Sequence, residues 1–179
     1  MEPTPERILD HAMRVLADDA GASMQEVAAA AGVGRATLYR HYASREDLLR
    51  AIRLRALAEC REALARTPLG GDPAEAMRRA LAALHEVIDR YRVLAGAAPV
   101  DRADPAQRGL IEQVEAPLIH LVARGQHEGA FRTHPPPAVV VRMLTGLLVA
   151  ARRAVLDGLV PAPDAAGLAA AVLLHGIVT

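Results

Sequence analysis

The sequence predicts an all-α protein, and three observations carry that expectation. Every extended apolar periodicity repeats by three and four residues, and no run alternates apolar with polar between turn residues as a strand would. The only two serines, Ser23 and Ser44, each stand just before a helical pattern, where a hydroxyl can cap free backbone amides. Hydrophobic residues make up 52% of the 179 but aromatics only 2%, so a core must come mainly from Ala, Leu and Val, which suits close-packed helices.

Taken in order, Ile8, Ala12, Val15 and Leu16 form a first apolar stripe that closes before Gly21. Ser23, with Glu26 three residues on, makes a capping box that opens a second, short helix through Ala31. Gly32, Val33 and Gly34 form a tight turn, and a third helix spans Arg35 to His41. Ser44 caps a long fourth helix carrying Leu48, Leu49, Ile52, Leu57 and Leu64. Pro68, Gly70, Gly71, Asp72 and Pro73 combine turn chemistry with a helix start and mark a boundary. Beyond it Met77, Leu81, Leu84, Ile88, Tyr91 and Ala95 line one helix face. Pro99 to Pro105 interrupts. Another helical region runs from about Gln107 to Glu128, with Pro117 expected to break it or start a fresh first turn. Pro135 to Pro137 begin a helix through about Leu156, and Asp164 is expected to cap a last one ending near Val178.

The charge balance is zero, which disfavours a general nucleic-acid coat and directs attention to local patches. A single cysteine, Cys60, excludes an internal disulfide and a cysteine metal cluster, and fits a reducing compartment. The longest apolar segments are short or interrupted by Arg142 and His175, and no signal peptide is evident, so a cytoplasmic protein without a membrane partner is expected. Catalysis finds no support. His85 and Glu86 begin like a zinc-protease helix, but Asp89 stands where the second histidine is required. Both serines are committed as caps, and Gly70-Gly71 is too short to cradle a phosphate. No enzyme activity, metal or cofactor is expected.

Two short helices around Gly32-Val33-Gly34 match a helix-turn-helix, whose second helix enters the major groove. Between Glu26 and Glu46 there is no acidic residue, while Arg35, Arg40 and Arg45 occur there with His41, Tyr39 and Tyr42. Arginines can pair with phosphates or fork onto guanine, and tyrosine hydroxyls can reach phosphate oxygens. The start of the second helix, at Ser23, Met24 and Gln25, offers backbone donors to a phosphate.

The stretch SMQEVAAAAGVGRATLYRHYASREDLL, from Ser23 to Leu49, resembles the DNA-binding signature of the tetracycline-repressor (TetR) family. Its marks are Ala31-Gly32-Val33, the Thr37-Leu38-Tyr39 core of the recognition helix, the aromatic Tyr42, and Ser44 to Leu48 opening the next helix. The resemblance implies that Arg35, Thr37 and His41 face the groove, that Tyr39 and Tyr42 contact phosphates, that Arg45 touches the DNA backbone, and that Leu38 packs inward. The exposed set also includes Arg40 and Ala36, and the small Ala36 leaves base recognition to Arg35 and Thr37. It further implies a DNA-binding domain over 1–47 and a helical body over 48–179, with a clear loop at 67–73.

In that body the family implies a small-molecule pocket and a dimer interface, the last two helices of each subunit forming a four-helix bundle. The interface is expected at Leu147, Ala151, Val155, Leu168 and Val172. The pocket is expected between the helix from Pro73 and those starting near Gln107 and Ala138, with Met77, Leu81, Leu84, His85, Ile88, Arg92, His120 and Met143 as its lining. Tyr91 and Phe131 are the only aromatics past the boundary, so an aliphatic or compact effector is expected rather than a large flat one. The resulting expectation is a homodimeric repressor released from a palindromic DNA operator by a small molecule. The alternative is a DNA-binding protein without an inducer, gated by a protein partner.

Overall fold

The computed structural model describes residues 4–96, 100–161 and 165–178. Pro99 and Asp164 lie outside them, as does the side chain of Ala95. The described residues form eight α-helices: α1 Pro5–Asp18, α2 Met24–Ala30, α3 Arg35–His41, α4 Arg45–Arg66, α5 Pro73–Arg90, α6 Pro105–His127, α7 Pro137–Leu156 and α8 Ala165–Ile177. A 3-10 segment, Arg92–Gly96, follows α5.

Local chemistry accounts for most helix starts. Thr4 accepts from the Arg7 amide, with Pro5 at the first helical position. Ser23 accepts from the Glu26 amide while the Glu26 carboxylate takes the Ser23 amide, completing the capping box. Ser44, Asp72 and Asp104 likewise cap α4, α5 and α6 through their side-chain oxygens. The α2–α3 turn needs Gly32 at φ +66°, backbone that side-chain-bearing residues rarely adopt.

Two cores result. The first joins Ile8, Ala12 and Leu16 of α1, Val27 of α2, Leu38 of α3, and Leu48 and Ile52 of α4. It extends past the expected boundary at residue 47, because it also takes Val87, Tyr91 and Val93. The second packs Leu64 of α4 with Met77, Leu81 and Leu84 of α5, Leu118 of α6, Leu144 of α7 and Leu173 of α8. Helix α4 therefore belongs to both. Cys60 packs against both cores, and burial, with the Glu59 charge adding, pushes its thiol up to about 11. It is a packing group rather than a reactive nucleophile at neutral pH.

The expected break at Pro117 does not occur. Helix α6 runs unbroken through it. An internal proline costs about 3 kcal/mol, and the burial of Ile111, Val114, Leu118, Leu121 and Val122 on either side of it offsets that cost. The loop after α4 is also more than a spacer. Arg79 donates to the carbonyls of Pro68 and Gly70, and Arg124 to those of Leu69 and Gly71, so two arginines from α5 and α6 fasten it.

The end of α8 is tied to the segment after α6, where Phe131 pairs with Val178 and the Arg132 amide donates to the Ile177 carbonyl. The Phe131 ring is buried because Gly125 has no side chain: a Cβ there would come within 2.9 Å of Phe131 Cγ and closer still to the ring edge. Gly125→Ala is expected to destabilise the protein by about 1–3 kcal/mol through overpacking. Urea unfolding followed by circular dichroism checks this, and an unchanged midpoint would show that the ring can move aside.

Candidate nucleic-acid interface and effector region

Helix α3 presents one face to solvent and one to the first core. Leu38 is fully buried and fixes the helix, while Arg35, Ala36, Tyr39, Arg40 and His41 are exposed and Thr37 is half-buried. The Arg35 guanidinium lies 5.3 Å from the centroid of the Tyr39 ring, a cation–π contact one turn apart that orders the longer side chain. No carboxylate lies between Glu26 and Glu46 to cancel this face.

Three expected DNA contacts take a different place. Tyr42 is buried, and its hydroxyl donates to the Pro5 carbonyl at 3.1 Å. It ties the end of α3 to the start of α1 instead of reaching outward. Arg45 donates to the carbonyls of Ala20 and Ala22, so its charge clamps the α1–α2 loop onto α4. At the start of α2, Met24 is buried and both the Ser23 amide and hydroxyl donate to Glu26. A carboxylate thus already occupies the position that a phosphate would take, held below its usual range by those Ser23 bonds. Gln25 stays exposed.

The expected effector lining is dispersed. Met77, Leu81 and Leu84 are buried within the second core, whereas His120 is exposed on α6 and Met143, 54% exposed, lies on the outside of α7. Arg92 turns towards α1 and borders a crevice there. Helical spacing alone could not separate a filled core from a lined cavity, because both demand the same apolar stripe. His85 and Ile88 remain half-buried on α5. Within about one turn of them, Asp89 accepts from Arg152 of α7 at 3.2 Å. The Arg152 Nε is buried without a partner.

The α7 residues expected at a dimer interface face the second core. Ala151 is buried in the second core, with Leu147 and Val155 packed against it. The outward face carries Val139, Met143, Val149 and Leu156 instead, beside Leu168 and Val172 of α8, which are exposed as expected.

A polar seam joins α4 to α6. Arg50 makes a two-pronged pair with Asp104, holding that carboxyl well below its ordinary range, and Gln107 donates to the same carboxylate. Arg102 pairs with the buried Glu115. Within α4 itself, Arg53, only 4% exposed, pairs with Glu46 while its Nε and Nη1 find no partner among the described residues. Sequence reasoning passed over Arg53 and Arg152. The seven-residue spacing of Glu46 and Arg53 shows a shared helix face, but burial depends on packing by elements distant in the chain.

No described helix is long and apolar enough to cross a membrane, and no three metal-ligating side chains cluster among the described residues. Residues 8–52 match the family model for bacterial regulatory proteins of the tetR family. The chain is 31% identical over 158 residues to the HTH-type transcriptional repressor LfrR of Mycolicibacterium smegmatis, covering 88% of this chain and 82% of that protein. It superimposes on the structure of LfrR from Mycobacterium smegmatis in complex with proflavine with a TM-score of 0.72 at 30% identity, over 97% of this chain and 96% of that one. The TetR-family regulator PfmR of Thermus thermophilus gives 0.73 at 27% identity, over 94% and 97%. With a buried Leu38 anchoring an exposed basic helix, and with similarity to a repressor along most of both chains, the protein belongs to the tetracycline-repressor family of bacterial transcriptional regulators.

Proposed function

We propose that this protein is a homodimeric repressor that holds an inverted-repeat operator through α3 and leaves it when a small molecule binds the C-terminal body. The observation that carries the DNA half of this reading is the exposed Arg35–Tyr39 stack on a helix whose opposite side is locked by Leu38. Arg35 serves as the base-reading group, with Thr37 and His41 beside it. Tyr39 and Arg40 meet the phosphates. Tyr42 and Arg45 act one step back, by fixing the angle at which α3 is presented.

The outward apolar face of α7 and α8 supports dimerisation. Exposed Val139, Met143, Val149, Leu156, Leu168 and Val172 give a patch of the kind that marks a protein interface. Two such faces around a two-fold axis would set two α3 helices on successive turns of one DNA face.

The effector reading rests on family membership and on the α5–α7 contact. LfrR has been solved with proflavine, a flat aromatic ring system. The body of this chain holds Tyr91 and Phe131 as its only aromatics, both buried. We place the effector beside His85 and Ile88, with the unpartnered Arg152 Nε as its polar anchor, and assign it an aliphatic or compact shape with an acceptor group. Its binding would separate Arg152 from Asp89 and move α7 relative to α5. Because linkage is reciprocal, such a ligand must bind the operator complex more weakly than the free protein, by a factor worth about 1–3 kcal/mol.

Three outcomes are expected. Selection from random duplexes should recover an inverted repeat, and Arg35→Ala should weaken binding to it by about 1–3 kcal/mol while leaving non-specific binding nearly unchanged. Equal loss on all sequences in a titration at fixed salt would reduce Arg35 to a phosphate contact. Val149→Glu with Val172→Glu should give monomers at micromolar concentration in sedimentation, since both sites are open in the folded chain but a dimer would bury the charges. A persistent dimer would move the interface elsewhere. In a thermal-shift panel containing proflavine and short-chain aliphatic acids, an aliphatic member should raise the Tm and release the operator fragment. Release by proflavine alone would overturn the lining argument, and release by no compound would favour the partner-gated reading.

A further inference from the structure

A crevice of about 350 Å³ lies where α1, α4, the end of α5 and the 3-10 segment meet. Its charged lining is Arg14, Arg55, Arg90 and Arg92 against Asp10 and Asp18. Two of the arginines are already paired: Arg55 Nη1 lies 2.6 Å from Asp10 Oδ1, and Arg90 Nη1 2.5 Å from Glu59 Oε2. The Tyr91 hydroxyl donates to the other Glu59 oxygen at 2.6 Å and closes the back of the crevice. Among the described residues Arg14 bonds only to neutral acceptors, the Asp10 carbonyl and His11 Nδ1. Arg92 is exposed and pairs with no carboxylate among the described residues.

We propose that this crevice binds a small phosphate-bearing anion, clamped between Arg14 of α1 and Arg92 of the 3-10 segment. Guanidinium groups match phosphate oxygens in pairs and keep their charge at any physiological pH. The volume admits a pyrophosphate or a compact sugar phosphate but not a macromolecule. Asp18 at the rim opposes the anion, and so favours ligands that engage both Arg14 and Arg92 over singly charged ions that engage one. The site is separate from the effector position beside His85 and does not depend on it. Its consequence is mechanical. Arg14 stands on α1, and Arg92 on the 3-10 segment whose Tyr91 and Val93 neighbours pack into the first core, so an anion held by both would fasten that segment, and the end of α5 before it, to α1.

Calorimetry on the full chain without DNA tests this, with inorganic pyrophosphate as the probe and sodium chloride used to hold ionic strength constant. Saturable binding of one pyrophosphate per chain is expected. The Arg14→Ala, Arg92→Ala double variant should bind at least tenfold more weakly, with circular dichroism confirming its fold. Arg132→Ala, which removes an exposed charge elsewhere, should bind as the wild type does. Absence of saturable heat, equal binding by the double variant, or an equal loss in Arg132→Ala would each overturn the proposal, the last by showing attraction to net charge alone.

Discussion

The architecture depends on one helix belonging to two cores. Helix α4 gives Leu48 and Ile52 to the core that orients α3, and Leu64 to the core built by α5 to α8. A continuous helix cannot bend sharply without losing backbone hydrogen bonds, so displacing one of its ends displaces the other. The return contact from Val87, Tyr91 and Val93 makes the DNA-reading unit rest on the body twice, through α4 and through the end of α5. The two cores are thus joined by two packed connections rather than one.

The DNA-facing side is arranged before any DNA arrives. Leu38 sets the rotation of α3, Tyr42 fastens its end to α1, and Arg45 holds the preceding loop. Tyr42 and Arg45 carry the polar chemistry expected of phosphate contacts but use it on backbone carbonyls within the chain. The division suits a short unit: internal hydrogen bonds hold the geometry, while Arg35, Tyr39, Arg40 and His41 stay on the exposed face.

How much could be read from the sequence followed from how local each feature was. The Ser23 capping box and the Gly32 turn depend on neighbours within a few residues and stand where the spacing placed them, and Leu38 packs inward as the family resemblance implied. The all-helical class followed from the same periodicities. Pro117 misled because its local preference was overridden by burial along the whole of α6. On α7, an apolar stripe wide enough for two faces could not say which face meets the body. Leu147 and Ala151 went inward while Met143 and Val149 went outward. The expected pocket lining scattered for a related reason: Met77, Leu81 and Leu84 fill space that a list of apolar residues could equally have enclosed. Arg53 and Arg152 were invisible because their burial is created by helices distant in the chain, as the contact of Arg152 with Asp89 of α5 illustrates.

Arg53 gives α4 a distinctive property. A guanidinium cannot shed its charge, and each buried N–H left without an acceptor costs about 1–3 kcal/mol. Nε and Nη1 of Arg53, together with Arg152 Nε on α7, are the buried side-chain donors left without a partner among the described residues. Displacing Arg53 exchanges imperfect contacts rather than breaking perfect ones, so the packing around it resists a shift of α4 less than a fully paired layer would.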